Sequence, residues 1–229
     1  MPDRPLGIKV FFVVMTAAGR ETLACEAVKN LKSQAAPYDR IVIVHGPGVD
    51  TSLLPKDIPH FGHPSKHNLA QAHNVAIRLI VDESYFCSMH DDIAMAGPDW
   101  VNRFINFYET KPQRIGVLGV ERHSNSECHC TIDEFKGVVW ADGVFFLRTA
   151  LLSKVGPFDE ELVADCDQMD YCYRIKALGY CNFRWTGKFL HARIAYDKKA
   201  SDYATFRDLS NISRIRFTAK HNVLVDALP

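Results

Sequence analysis

Residues 85–100 read Tyr85-Phe86-Cys87-Ser88-Met89-His90-Asp91-Asp92-Ile93-Ala94-Met95-Ala96-Gly97-Pro98-Asp99-Trp100. The first five residues are a short apolar run with the look of a buried strand. The run then breaks into His90-Asp91-Asp92. Two adjacent carboxylates at the end of a buried strand repel each other, and each loses water. A divalent cation offsets both costs. Mg²⁺ or Mn²⁺ takes carboxylate oxygens and keeps positions open for phosphate. Pro98 suits the first turn of a helix, and Asp99 suits the positive end of its dipole. The stretch therefore predicts a strand, a metal-binding turn and a helix. An Asp-Asp pair alone is more often a solvated turn or a helix cap, so the rest of the chain must supply the weight.

Towards the N-terminus, Ile8 to Met15 is a near-continuous apolar run, as expected of a strand buried on both faces of a parallel sheet. It ends in the small-residue turn Thr16-Ala17-Ala18-Gly19-Arg20. Glu21 to Ser33 has helical spacing, Ile41 to Val44 is a second buried strand, and His45-Gly46-Pro47-Gly48 is the loop after it. This βαβ opening suits a nucleotide-binding sheet, whose ligands sit beyond the carboxyl ends of the strands. Thr16, Arg20, His45 and Gly46 then face one crevice. Pro55 to Phe61 holds a short third strand. His60, His63, His67 and His73 read as scattered loop and surface histidines. Asn68 caps a helix running to about Glu83, with Leu69, Ala72, Ala76, Leu79 and Ile80 on its core side.

Towards the C-terminus, a helix spans Asp99 to Tyr108 and a buried strand Ile115 to Val120. Residues 121–135 are polar and read as a long loop. Gly137 to Leu147 reads as strand with Asp142-Gly143 as a break, and Leu151 to Val155 as a helical piece. Asp165 to Leu178 is the second acidic stretch, helical from Asp167 and closed by Gly179. Asp167 and Asp170 share a face, with Arg174 beside them. A helix N-terminus decorated with acids is the plainer account of that stretch. Asn182 to Trp185 and Phe189 to His191 form a closing hairpin, which leaves His191 at a strand end. From Tyr203 a basic amphipathic tail packs back on the domain.

The chain has 229 residues and zero formal charge, and nearly half of it is hydrophobic. That is a globular composition, with no basic stripe for nucleic acid. No apolar stretch is long enough to span a bilayer. The short apolar run near the start reads as a strand, not a signal peptide. Seven cysteines, an odd number spread over predicted elements, suit free thiols in a reducing compartment. Cys128-His129-Cys130 with His123 lacks a standard zinc spacing. A cytoplasmic protein is expected, and loose association with a membrane is compatible with that.

Seven stretches taken together resemble the family 2 glycosyltransferases: FFVVMTAAGR, IVIVHGPG, HNLAQAHNVAI, FCSMHDDIAMAGPDWV, GVVWADGVFFLRTALLSKVGPFDEEL, DQMDYCYRIKALGY and FLHARIA. The resemblance covers about residues 8–195. It implies the GT-A fold, an α/β architecture with a Rossmann-like, mostly parallel central sheet flanked by helices and a small antiparallel acceptor-side part. It also implies a single domain over 1–229. About 1–97 would bind the nucleotide-sugar, and about 98–229 the acceptor, ending in a helical tail.

The same resemblance implies roles. Thr16, Arg20, His45 and Gly46 line the nucleoside pocket, and Asn68 sits near the nucleotide. Asp92 binds the metal, Mn²⁺ or Mg²⁺, with His191 completing its shell, and Asp91 lies beside the sugar or ribose. The acidic segment supplies the base. Gln168 stands where the family usually has its catalytic Asp, so Asp167 is the expected base and Asp170 the alternate. His45 likewise stands where an acid usually contacts the nucleotide base. The expected partners are a nucleoside-diphosphate sugar, a UDP-sugar foremost, and a glycan, lipid-linked or protein-linked hydroxyl acceptor. A metal group and a base group together explain both acidic clusters, because the leaving diphosphate gathers charge while the acceptor hydroxyl sheds a proton. A sugar-phosphate nucleotidyltransferase and a non-catalytic sugar-nucleotide-binding module are the alternatives.

Overall fold

The computed structural model describes residues 4–5, 7–37, 39–97, 99–111, 113–120, 127–164, 166–191 and 203–223, with the backbone alone for 127–130, 191 and 203–204. The chain runs through β1 (Val10–Thr16), α1 (Glu21–Lys32), β2 (Arg40–His45), a 3₁₀ turn (Thr51–Leu53), β3 (His60–Gly62) and α2 (Leu69–Ile77). Next come β4 (Tyr85–His90), β5 (Ile93–Met95), α3 (Trp100–Thr110) and β6 (Ile115–Gly119). The rest is β7 (Glu127–Ile132), β8 (Phe135–Val138), β9 (Val144–Arg148), α4 (Thr149–Val155), α5 (Asp167–Ala177), β10 (Cys181–Trp185), β11 (Phe189–His191) and α6 (Tyr203–His221).

One nine-stranded sheet has the order β3-β2-β1-β4-β9-β6-β10-β8-β7, and β11-β5 forms a second sheet. β3, β2, β1 and β4 are mutually parallel, and β9 enters antiparallel between β4 and β6. The composition of β1 explains its central place. All its residues are buried, and their alternation feeds two cores. Val10, Phe12 and Val14 pack with Ala24 and Leu31 of α1 and Trp100 and Phe104 of α3. Phe11, Val13 and Met15 pack in the core that holds Ala72 of α2 and Tyr171 and Ile175 of α5. Each large apolar side chain withdrawn from water contributes roughly 1.5–3 kcal/mol. The core faces of α1, α2, α3 and α5 are what clamp the sheet.

Three expectations are corrected. α2 stops at Ile77, not near Glu83. Leu79 and Ile80 donate to carbonyls three residues back, and the Glu83 carboxylate takes the Val81 N–H, so the chain tightens and turns. Of the stretch 121–135 read as a loop, 127–132 is a strand, and the chain turns at Asp133, a residue with φ of 52°, into a second strand over 135–138. Its polar composition hid an edge hairpin. Residues 121–126, His123 among them, and the side chains of Cys128, His129 and Cys130 lie outside the described part. The closing hairpin does not form either. β10 inserts between β6 and β8, while β11 pairs with β5. Asn182 makes that insertion possible. Its Oδ1 accepts from Val117 N–H (3.0 Å), and its Nδ2 donates to Val139 O (2.9 Å) and Cys172 O (3.1 Å), bridging a register shift between β10 and β6.

α6 packs back as expected. Phe217 is buried against Tyr173 of α5, with ring centroids 5.2 Å apart. Cys25, Cys87, Cys166, Cys172 and Cys181 are free thiols, and burial pushes the Cys172 thiol up to about 12. Among the described residues no helix is long and apolar enough to cross a membrane.

Candidate active site

Strand register brings the site together. Thr16 pairs with His45 and Met15 with His90, so β1, β2 and β4 end level. Asp91 N–H donates to Met15 O (3.2 Å), and Gly46 N–H donates to Thr16 O (3.2 Å). The residues just past β2 and β4 therefore flank the end of β1, where ligands of such sheets bind.

Thr16 Oγ1 donates to Asp91 Oδ2 (2.6 Å). Arg20 Nη2 lies 2.6 Å from Asp91 Oδ1 and 2.8 Å from Asp92 Oδ2. One guanidinium thus faces both adjacent carboxylates. Asp91 is only 4% exposed, and burial raises its carboxyl above the ordinary 3.8 against the opposing pull of Arg20 and the Thr16 hydroxyl. A cavity of about 310 Å³ opens beside this group, lined by Thr16, Arg20, Gly46, His63, Asn68 and Asp91 among others. A larger hollow of about 980 Å³ lies between α2 and α4, near Glu83 and Thr149. It sits at the amino end of β4, opposite the acids.

The other candidates fall as follows. His45 keeps Nδ1 3.1 Å from Gly46 O, and its ring is 5.6 Å from that of His60. Asn68 caps α2 by accepting from Gln71 N–H (3.0 Å), and its Nδ2 donates to Glu160 O (2.9 Å). Its amide is committed to holding the cavity wall. His191 is placed by backbone, opposite Ile93 and so one step past Asp92. Among the described residues no group of three or more His, Cys, Asp or Glu side chains forms a metal site. The donor chemistry nonetheless fits Mn²⁺ or Mg²⁺. Such ions take one or two carboxylates and leave the remaining positions to substrate phosphates. The guanidinium of Arg20 already sits on Asp92 Oδ2, so an ion taking that oxygen competes with it.

The second acidic stretch divides. Asp170 is fully buried, and its carboxylate meets Arg174 Nε (2.8 Å), His221 Nε2 (2.8 Å) and Lys220 Nζ (2.9 Å). It anchors α6 to α5, and this encirclement leaves it no opening to an acceptor. Asp167 is 5% exposed, with Oδ2 turned inward to 3.3 Å from His73 Nδ1.

His63 and His73 are buried, not surface histidines. Burial, with His45 beside it, lowers the His63 imidazole below its ordinary 6.5. The sequence did carry a signal for His73. It shares the helical face of Leu69, Ala72 and Ala76, and a polar residue on a core face needs partners. Asp142 reads in the sequence only as a break in a strand. The β4–β9 register places it beside Asp91, since Met89 pairs with Val144 and His90 N–H donates to Gly143 O.

No family model and no curated protein matches the sequence. Solved structures do match in fold. The mannosyltransferase PcManGT from Pyrobaculum calidifontis, solved with GDP-Man and Mn²⁺, superposes with a TM-score of 0.61 at 14% identity, over 92% of this chain and 63% of its own. TarS from S. aureus gives 0.62 at 14% identity, over 91% and 40%. GalNAc-T7, solved with UDP, GalNAc and Mn²⁺, gives 0.62 at 12% identity, over 94% and 54%. This chain therefore spans less than two thirds of the length of each. The likeness is one of fold, and the fold is GT-A, as the sequence led one to expect.

Proposed function

We propose that the chain transfers a sugar, with inversion, from a nucleoside-diphosphate sugar, a UDP-sugar foremost, to a hydroxyl on a glycan, lipid-linked or protein-linked acceptor. The observation that carries this reading is the meeting of Thr16, Arg20 and Asp91 in the lining of one cavity at the carboxyl ends of parallel strands, with Asp92 on the same guanidinium. Proteins of the same fold were solved with GDP-Man or UDP bound.

In this reading Thr16, Arg20, His45 and Gly46 receive the nucleoside, Asn68 sets the cavity wall, and Asp91 faces the ribose or sugar. Asp92 and His191 hold Mn²⁺ or Mg²⁺, which supplies Lewis-acid stabilisation to the diphosphate when bound. Arg20 is the chain's own cation there, and a guanidinium forks onto phosphate as well as onto carboxylate. The acceptor oxygen bonds to the anomeric carbon as the sugar–phosphate bond breaks, and its proton passes to Asp167. The inward turn of Asp167, with Gln168 next to it, favours a second reading: a module that binds the donor without transferring it.

The test is a thermal-shift screen with UDP, GDP, dTDP and CMP, each with and without Mn²⁺. A ligand present at a hundred times its Kd adds about 2.7 kcal/mol of stability. One nucleotide should raise Tm, more so with metal, and Asp92→Ala should abolish the metal-dependent part. No shift with any nucleotide overturns both readings. A shift without sugar transfer or donor hydrolysis selects the second.

A further inference from the structure

His73 lies fully buried in α2, stacked on Phe158 with ring centroids 4.1 Å apart. Both of its nitrogens are engaged. Nδ1 is 2.9 Å from Leu69 O and 3.3 Å from Asp167 Oδ2. Nε2 is 3.0 Å from Ser88 Oγ and 3.4 Å from Gln168 Nε2. These partners assign the tautomer. A carbonyl oxygen only accepts, so Nδ1 carries the proton. In that tautomer Nε2 accepts from the Ser88 hydroxyl and faces the Gln168 amide. The ring thus presents an N–H beside a buried carboxylate oxygen that has no hydrogen bond of its own among the described residues.

Ser88, His73 and Asp167 stand in the order of a hydrolytic triad, and burial excludes that activity. Ser88 sits within β4 with no exposed surface, so no substrate carbonyl reaches its Oγ. The network serves the start of α5 instead. Ala164 and Cys166, just before that helix, each hold a φ of 70°, a left-handed conformation that strains a non-glycine residue. A strained turn of this kind relaxes unless its neighbours hold it, and Asp167 would move with it.

We propose that His73 is a positioning residue: its Nδ1–H, donated to Leu69 O, also attracts the Asp167 carboxylate oxygen 3.3 Å away without a hydrogen bond to it, and its Nε2 faces Gln168 in the first turn of α5. The inference rests on the assignment of Asp167 as the base. The bond made and broken, and the proton's destination, stay as given above. His73 sets only where the accepting oxygen stands.

Two variants test it. In His73→Asn the amide falls near the place of Nδ1 and keeps a donor towards Asp167, but it leaves the larger void. In His73→Gln the amide reaches towards Ser88 instead and fills more space. Packing alone ranks Gln above Asn. Positioning ranks Asn above Gln in turnover. A misplacement of about 1 Å costs on the order of 100-fold in rate. We expect kcat to fall about 100-fold in His73→Gln and about tenfold in His73→Asn, donor KM to stay within twofold, and Tm to keep the opposite order. A kcat that follows Tm overturns the proposal. In an Asp167→Asn background the same changes should add no further loss, and additive losses overturn it. Asp167→Asn at the wild-type rate removes the base assignment itself, which is a separate failure. The contact is also read without turnover. The ¹⁵N–H signal of His73 Nδ1 should shift in Asp167→Asn, and an unmoved signal overturns the contact.

Discussion

Asp170 Oδ1 lies 2.8 Å from His221 Nε2, across 51 residues of chain, and this contact ties α5 to the last turn of α6. Arg174 and Lys220 bring two cations to the same buried carboxylate. Removing one partner of a buried charge cluster strands the others. Asp170→Asn should therefore destabilise the fold by about 3 kcal/mol. It should also release α6 first, since Phe217 docks beside this cluster. Urea melts and limited proteolysis within 203–221 read the two effects. A variant that melts like the wild type with α6 still protected would refute the anchoring role.

Arg20 occupies Asp92 Oδ2, one of the two oxygens a divalent ion could take there. Arg20→Met removes that competitor and leaves the two carboxylates without its charge. In the absence of nucleotide, Mn²⁺ should bind the variant at least tenfold more tightly than the wild type, as read from the free-ion signal in electron paramagnetic resonance. Equal affinity would mean that the guanidinium and the ion do not share a place.

His63 gives the fold a pH dependence of known sign. Its imidazole is held below 6.5 by burial and by His45. Between that lowered value and 6.5 the unfolded chain binds a proton that the folded chain does not. Stability is full above 6.5 and is lost as the pH falls towards the folded value. The stability difference between pH 7.5 and pH 5.5 should shrink in His63→Gln. An unchanged difference assigns the dependence to other groups.

Gly119 closes β6 with no room beside it. A Cβ there would meet Ala141 Cβ at 2.7 Å, Val144 O at 2.7 Å and Asp142 N at 3.1 Å. Two of these contacts are backbone, so Gly119→Ala must shift the start of β9, at a cost of about 1–3 kcal/mol. Gly143 O receives the His90 N–H, so the strain passes to the acidic turn. A drop in Tm together with weaker nucleotide-induced stabilisation is expected. Wild-type behaviour in both would show that β9 yields freely.

The sequence of β1 made the parallel half readable, because an unbroken apolar run has little use outside a two-faced sheet. Thr16, Arg20 and Asp91 were readable for the same reason: parallel strands end together, and their next residues must meet. The far half was harder. β7 is an edge strand with a polar sequence, and β8 beside it is only four residues long, so composition cannot separate that hairpin from loop. β10 and β11 look like a hairpin locally, and only long-range pairing sends them to different sheets. Asp167 and Asp170 share one helical face in the sequence. Their separate surroundings come from α2 and α6, which no local pattern near residue 167 reveals.

The pairing of β5 with β11 also has a consequence in time. It joins segments about a hundred residues apart, and such a closure waits on the whole intervening chain. A ribosome adds on the order of 10 residues per second, so the acidic turn spends roughly ten seconds without its partner strand while β1, β2 and β4 are already free to associate. A slow-codon pause placed before residue 189 would lengthen that interval.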